Sequence, residues 1–148
     1  MRPVPSTDQL LRSCADQISA LIPKLSDETD QAAAGMVVVA LGNCAIRSAN
    51  EIAWMHQEAT DYREFAGHVA RETDDAGLLQ DSTATGAASL HLAAVSDDYL
   101  AASRLMSRAV RLALASGRED LIARAEELLD DRLNREEEVR AAYADVGR

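Results

Sequence analysis

The sequence predicts an all-α protein, an antiparallel four- or five-helix bundle with a long central second helix. Three observations carry this expectation. Apolar residues make up 47% of the 148-residue chain but aromatics only 3%, so a core must be assembled from Ala, Leu, Val and Ile, which suits close helix packing better than a sheet sandwich. All three prolines fall before residue 24, leaving the rest of the chain without the strongest helix breaker. Apolar positions then recur at three- and four-residue spacing in four successive stretches. A chain of this length buries a sizeable core without staples, and one domain over residues 1–148 is expected.

The first helix is expected over about residues 7–22. Leu10, Cys14, Ile18 and Leu21 form a stripe flanked by Leu11 and Ile22, and Ser6 with Gln9 has the spacing of a capping box. Pro23 should close it. The second helix is expected over about 27–73, with Ser26 as N-cap and Asp27, Glu28 and Asp30 in the first turn, where the helix dipole favours negative charge. Gln31 to Thr73 as one helix would span roughly 65 Å at 1.5 Å per residue. A bend or break is therefore expected, at Gly42-Asn43 or between Gln57 and Asp61. The part before Gly42 is apolar on nearly all sides and reads as a buried spine, and Ile52, Met55, Ala59, Tyr62, Ala66 and Val69 then form one stripe.

Residues 74–85 read as a loop with Leu78 and Leu79 tucked inward. A third long helix is expected over about 86–115. Its two apolar rows are Leu90, Ala94, Ala101, Leu105 and Leu112, and Leu92, Val95, Tyr99, Ala102, Met106, Ala109 and Ala113. Ser96-Asp97-Asp98 is expected to interrupt it, and Gly117 to end it in a left-handed cap. The last helix, about 119–143, has Leu121, Ala125, Leu128, Leu129 and Leu133 on one side. Acid-then-base pairs at i, i+4 are expected from Asp120 to Arg124, Asp131 to Arg135 and Glu136 to Arg140.

The formal charge of −10 argues against nucleic acid as a partner, because neutralising phosphates needs a basic surface. Cys14 and Cys44 have no CxxC or Cys/His spacing and read as small buried thiols in a reducing compartment. The N-terminus shows no basic-then-apolar signal region, and the apolar run Met36 to Leu41 falls short of the roughly 20 residues of a membrane span. A cytoplasmic location without membrane attachment is expected. Lys24 is the single lysine.

Few residues suggest chemistry. Asp61, Glu64 and His68 share one helical face, with Glu58 and Arg71 close by, and carboxylates with imidazole can hold a metal. A ferritin-like carboxylate/histidine bundle is the alternative reading, although such sites use Glu-x-x-His on two helices and the spacing here is Glu-x-x-x-His, once. Pairing of Glu64 with His68 on a solvated face explains the same residues. His56 and His91 stand alone, and Trp54 with Met55 and His56 would line at most an apolar pocket. No nucleophile elbow, phosphate loop or cofactor motif occurs, so no cofactor and no independent active site are expected. Arg104, Arg108 and Arg111 lie at i, i+4, i+7, with Arg118 past the glycine. In so acidic a chain this row is suited to phosphate, a CoA-type nucleotide or an acidic partner. Complementing a helix C-terminus and pairing with Glu126, Glu127 or other acids of the last helix is the competing reading.

The order PSTDQLLRSCADQI, then LIPKL, then AAAGMVVVALGNCAIRSANEI resembles a family of small uncharacterised helical proteins that includes the accessory subunit of phosphotransferase-like kinases acting on hydroxyacyl-CoA substrates. The likeness covers residues 5–52; the C-terminal RLNREEEVRAAY departs from the family. It implies a non-catalytic accessory role with such a kinase as partner, and carries over no site residues. The expectation for function is therefore a helical interaction protein that binds another protein or itself, a homodimer included, through the arginine row or the region around Trp54.

Overall fold

The computed structural model describes residues 4–144, with side chains described through residue 141. The chain is all-α. Its helices are α1 (Thr7–Leu21), α2 (Glu28–Glu72), α3 (Ala76–Ser82), α4 (Leu92–Ser116) and α5 (Glu119–Ala144), with a 3₁₀ turn at Ile22–Lys24. Contacts group the chain into two compact units. The first is Met1–Glu51 with Asn134–Arg148, and the second is Ile52–Leu133.

In the first unit the capping box forms, with the Gln9 side chain accepting from the Ser6 N–H at 3.0 Å. Pro23 sits in the 3₁₀ turn that ends α1. The buried face of α1 is turned by about one residue from the predicted stripe. Leu11, Ala15, Ile18 and Ile22 are buried or half-buried, whereas Leu10, Cys14 and Leu21 are exposed. Two rows one residue apart compete here, and the row containing Ala15 is the covered one.

Helix α2 is one continuous 45-residue helix, with no break at Gly42-Asn43 or at Gln57 to Asp61. Its N-cap is Asp27 rather than Ser26: the Asp27 carboxylate accepts the N–H groups of Thr29 at 2.7 Å and Asp30 at 3.2 Å. The N–H of Asp30, then that of Thr29, holds the carboxyl below its usual range. The expectation of a spine buried on all sides fails. In residues 28–51 Val38, Asn43 and Ala45 are buried, while Met36 is 74% and Val37 46% exposed. A continuous apolar run states how much apolar surface exists, and says nothing about how many neighbours there are to cover it.

The second unit holds a continuous core. Ala59, Tyr62, Phe65, Ala66 and Val69 of α2 meet Ala102, Met106, Ala109 and Ala113 of α4, and Leu121, Ala125 and Leu128 of α5, with Leu78 of α3 fully buried among them. Of the two rows read for α4, the one through Val95, Ala102, Met106, Ala109 and Ala113 is the buried one, and Leu90 of the other is 70% exposed. In α5 the predicted Leu129 and Leu133 stay exposed. Arg63–Asp98 and Tyr62–Tyr99 join α2 to the start of α4, and Glu72–Arg118 joins their far ends. These two segments therefore run in the same direction, with α5 returning beside them. A same-sense neighbour needs a crossover, and α3 with the loop at residues 83–91 supplies it.

Residues 74–85 are not all loop. Asp75 caps α3 by accepting from the Leu78 N–H at 2.7 Å, and Leu78 is the residue that anchors this short helix. The remaining stretch delays α4 to Leu92 instead of Gly86. Ser96-Asp97-Asp98 does not interrupt α4, because Asp98 is engaged by Arg63. Two left-handed residues close helices: Gly117 at φ 67° after α4, as expected, and Asp74 at φ 53° after α2. Asp75 N–H donates to Ala70 O at 3.0 Å across that second turn, the long bond of a Schellman closure. Left-handed geometry costs an Asp more than a Gly. Asp74→Gly should therefore stabilise the protein by about 0.5–1 kcal/mol and Gly117→Ala destabilise it by about 1 kcal/mol, read as opposite shifts of the urea unfolding midpoint at unchanged slope.

Candidate functional site

The arginine row on α4 divides into two kinds of residue. Arg108 reaches α3, bonding Asp75 at 2.8 Å and Asp81 at 2.9 Å. Gly77 lies beneath it, where an added Cβ would come within 3.1 Å of the Arg108 guanidinium. Arg118 clamps Glu72 and Asp120. These two arginines hold α3 and the α4–α5 turn in place. Arg118 thus finds an acid of the last helix, Asp120 rather than Glu126 or Glu127, while its other partner, Glu72, lies on α2 and those of Arg108 are Asp75 and Asp81. Arg104 and Arg111 are exposed and form no ion pair among the described residues. Only they remain from the row as free cations for an acidic partner. Asp120 goes to Arg118, and Arg124 pairs with Glu127 at 2.8 Å, which replaces the predicted Asp120–Arg124 pair.

Asp61, Glu64 and His68 are not drawn together. Asp61 accepts from Gln57 at 2.9 Å, Glu64 faces a cleft, and His68 is exposed outside that cleft. Among the described residues no three His, Cys, Asp or Glu side chains gather as a ligand set. The cleft, of about 700 Å³, lies between α2 and α3; His56, Thr60, Glu64 and Arg71 form one wall, and Ser82 and Thr83 the other. Gly67 allows that approach, since a Cβ there would sit 3.0 Å from Ser82 Oγ. The hydroxyls of Thr60, Ser82 and Thr83 donate to helix carbonyls at 2.7–3.0 Å. No nucleophile, base and orienting group meet in it in the geometry that covalent or acid–base catalysis requires. Trp54 is half-buried and lies outside its walls.

An interior polar cluster went unnoticed in the sequence. Glu58 is buried on α2, accepts from Tyr62 Oη at 3.4 Å and is also hydrogen-bonded to Tyr99. The Tyr62 and Tyr99 rings lie 6.2 Å apart. Burial first, and the Glu58 carboxylate second, raise both phenols above their ordinary range, while Arg132 opposes this. The i, i+4 spacing of Glu58 and Tyr62 was the available signal. A buried carboxylate with two phenol donors is a satisfied structural site.

The most unusual surface is the first half of α2. Ala33, Met36, Val37, Ala40 and Cys44 are all exposed and follow one another at helical spacing on one face. By length and composition alone α2 is apolar enough to cross a membrane, a property the six-residue run did not anticipate, and only 17% of its apolar 18-residue window is buried. Cys44 lies on this face, and Cys14 is exposed on α1, so neither is the buried thiol expected. The Cys44 expectation failed with the buried spine, and the Cys14 expectation with the turned face of α1.

The acid-base behaviour of the clamps is testable. The Leu78 N–H, then the Arg108 guanidinium, holds Asp75 below the carboxylate range, and Arg118 lowers Asp120 to about 2. A carboxyl whose folded pKa is depressed contributes stability that is present above its unfolded value and lost as pH falls through the folded one. Asp75→Asn with Asp120→Asn should therefore be less stable than wild type at pH 7 and lose less between pH ~4 and ~2. Thermal melts across that range should converge at the acid end. No protein-family model, curated protein or solved structure matches this chain.

Proposed function

We propose that the protein is a non-catalytic helical interaction protein whose working surface is the exposed face of α2 formed by Ala33, Met36, Val37, Ala40 and Cys44. One observation carries the reading: an apolar helix face of this length lies in water, and contiguous apolar surface on that scale marks an interaction site. The likeness over residues 5–52 covers the same helix. It favours an accessory-subunit role beside a phosphotransferase-like kinase acting on acyl-CoA substrates. Arg104 and Arg111 would give such a partner a separate, acid-seeking contact.

Met36→Asp with Val37→Asp puts two charges on the face without touching a buried residue. The pair should leave helicity and the melting of the second unit unchanged. It should weaken association, with itself or with a co-purifying protein identified from the native host, by at least about tenfold, the scale of one hot-spot loss. Unchanged association would reject the face as the working surface. Arg104→Glu with Arg111→Glu should weaken a heteromeric complex more at low than at high salt, measured by titration calorimetry at two ionic strengths.

A further inference from the structure

The exposed face of α2 has an internal order. Asp30, Ala33, Val37, Ala40, Cys44, Arg47 and Glu51 follow one another at alternating spacings of three and four, the a/d repeat of a two-stranded coiled coil. All seven are exposed except Glu51, which is half-exposed. The middle four are apolar or small, and small side chains permit close approach of two helix axes. Charge is confined to the ends: Asp30 at one, Arg47 and Glu51 at the other.

Those ends distinguish the possible pairings. Two copies side by side in parallel would set Asp30 against Asp30, Arg47 against Arg47 and Glu51 against Glu51, three layers of like charge. Two copies in antiparallel sense, centred between Val38 and Val39, set Asp30 against Arg47 twice. The same register puts Ala33 opposite Cys44 and Val37 opposite Ala40. Each is an a-against-d layer, as antiparallel two-stranded pairing requires. Arg47 already has Glu51 one turn away at 3.4 Å, but both are substantially exposed, and such a pair is weakly held.

We propose that a second copy of this chain occupies the face, α2 pairing with α2 in antiparallel register through the Asp30–Arg47, Ala33–Cys44 and Val37–Ala40 layers. The inference rests on the reading of this face as the working surface, and adds the occupant and the register.

The full chain is tested in a Cys14→Ser background, leaving Cys44 as the one native thiol. Light scattering should give the mass of a dimer. Ala33→Cys should then yield a covalent dimer under mild oxidation, with a 33–44 disulfide in peptide maps. That link can only be between chains, because the two positions lie roughly 16 Å apart along one helix. The background protein without Ala33→Cys should stay uncrosslinked. Asp30→Arg should raise the dimer dissociation constant about tenfold, and Asp30→Arg with Arg47→Asp should restore it. A Cys44–Cys44 link would overturn the register. A monomer at all concentrations overturns the second copy as occupant. If that monomer still binds a different protein in a Met36- and Val37-dependent way, the interaction reading stands; if it binds nothing, both fail.

Discussion

The second unit depends on the closeness of its helices, and alanine sets that distance. Seven of its fourteen core residues are alanines, spread over α2, α4 and α5. With so little side chain between them the helix axes must approach closely, and the few large residues, Tyr62, Phe65, Met106, Leu78, Leu121 and Leu128, fill the spaces left where alanine rows face one another. This arrangement fails by crowding before it fails by cavity. A methyl added at Ala66 or Ala109, each fully buried, has no space to enter, and overpacking of that kind typically costs 1–3 kcal/mol. Gly67, also buried, extends the same rule to α3, where Ser82 occupies the volume a side chain would need.

Close packing also explains where the charges went. An alanine-lined seam leaves room at its edges for long side chains to reach across, so Arg63, Arg108 and Arg118 each find a carboxylate on another element or at the far side of a turn. The Arg63–Asp98 pair is the most buried of these. Its worth lies in orientation as much as in energy, since a buried ion pair offsets its own desolvation only when the geometry is good. Arginines that look like one binding row in the sequence are thus sorted by their surroundings: Arg108 and Arg118 fasten elements together, and Arg104 and Arg111 remain available.

The sequence made the architecture legible wherever a period met an end signal. Ser6 with Gln9, Pro23 and Gly117 marked helix ends where they occur, and the Ala102, Met106, Ala109 and Ala113 row named the α4 core. It misled where apolarity was taken for burial. Met36 and Val37 belong to the most apolar run in the chain and lie in solvent, because a sequence records what a surface is made of and not whether anything covers it. Capping was equally hard to place. Asp27 won over Ser26, and Asp75 caps a short helix within a stretch whose composition reads as loop, both through hydrogen bonds to N–H groups that exist only once the helix has turned. Of the candidate site residues, Asp61, Glu64 and His68 shared a face on paper, yet Gln57, a cleft and open solvent claimed one each.

A seven-residue repeat on a helix of 3.6 residues per turn is not a straight line. It drifts by about 20° per heptad, so the file from Asp30 to Glu51, three heptads long, winds around α2 by roughly 60° in the left-handed sense. A flat occupant can touch such a file over only part of its length. A partner that covers all of it must wind with it, and that favours another helix over the edge of a sheet or the plane of a bilayer.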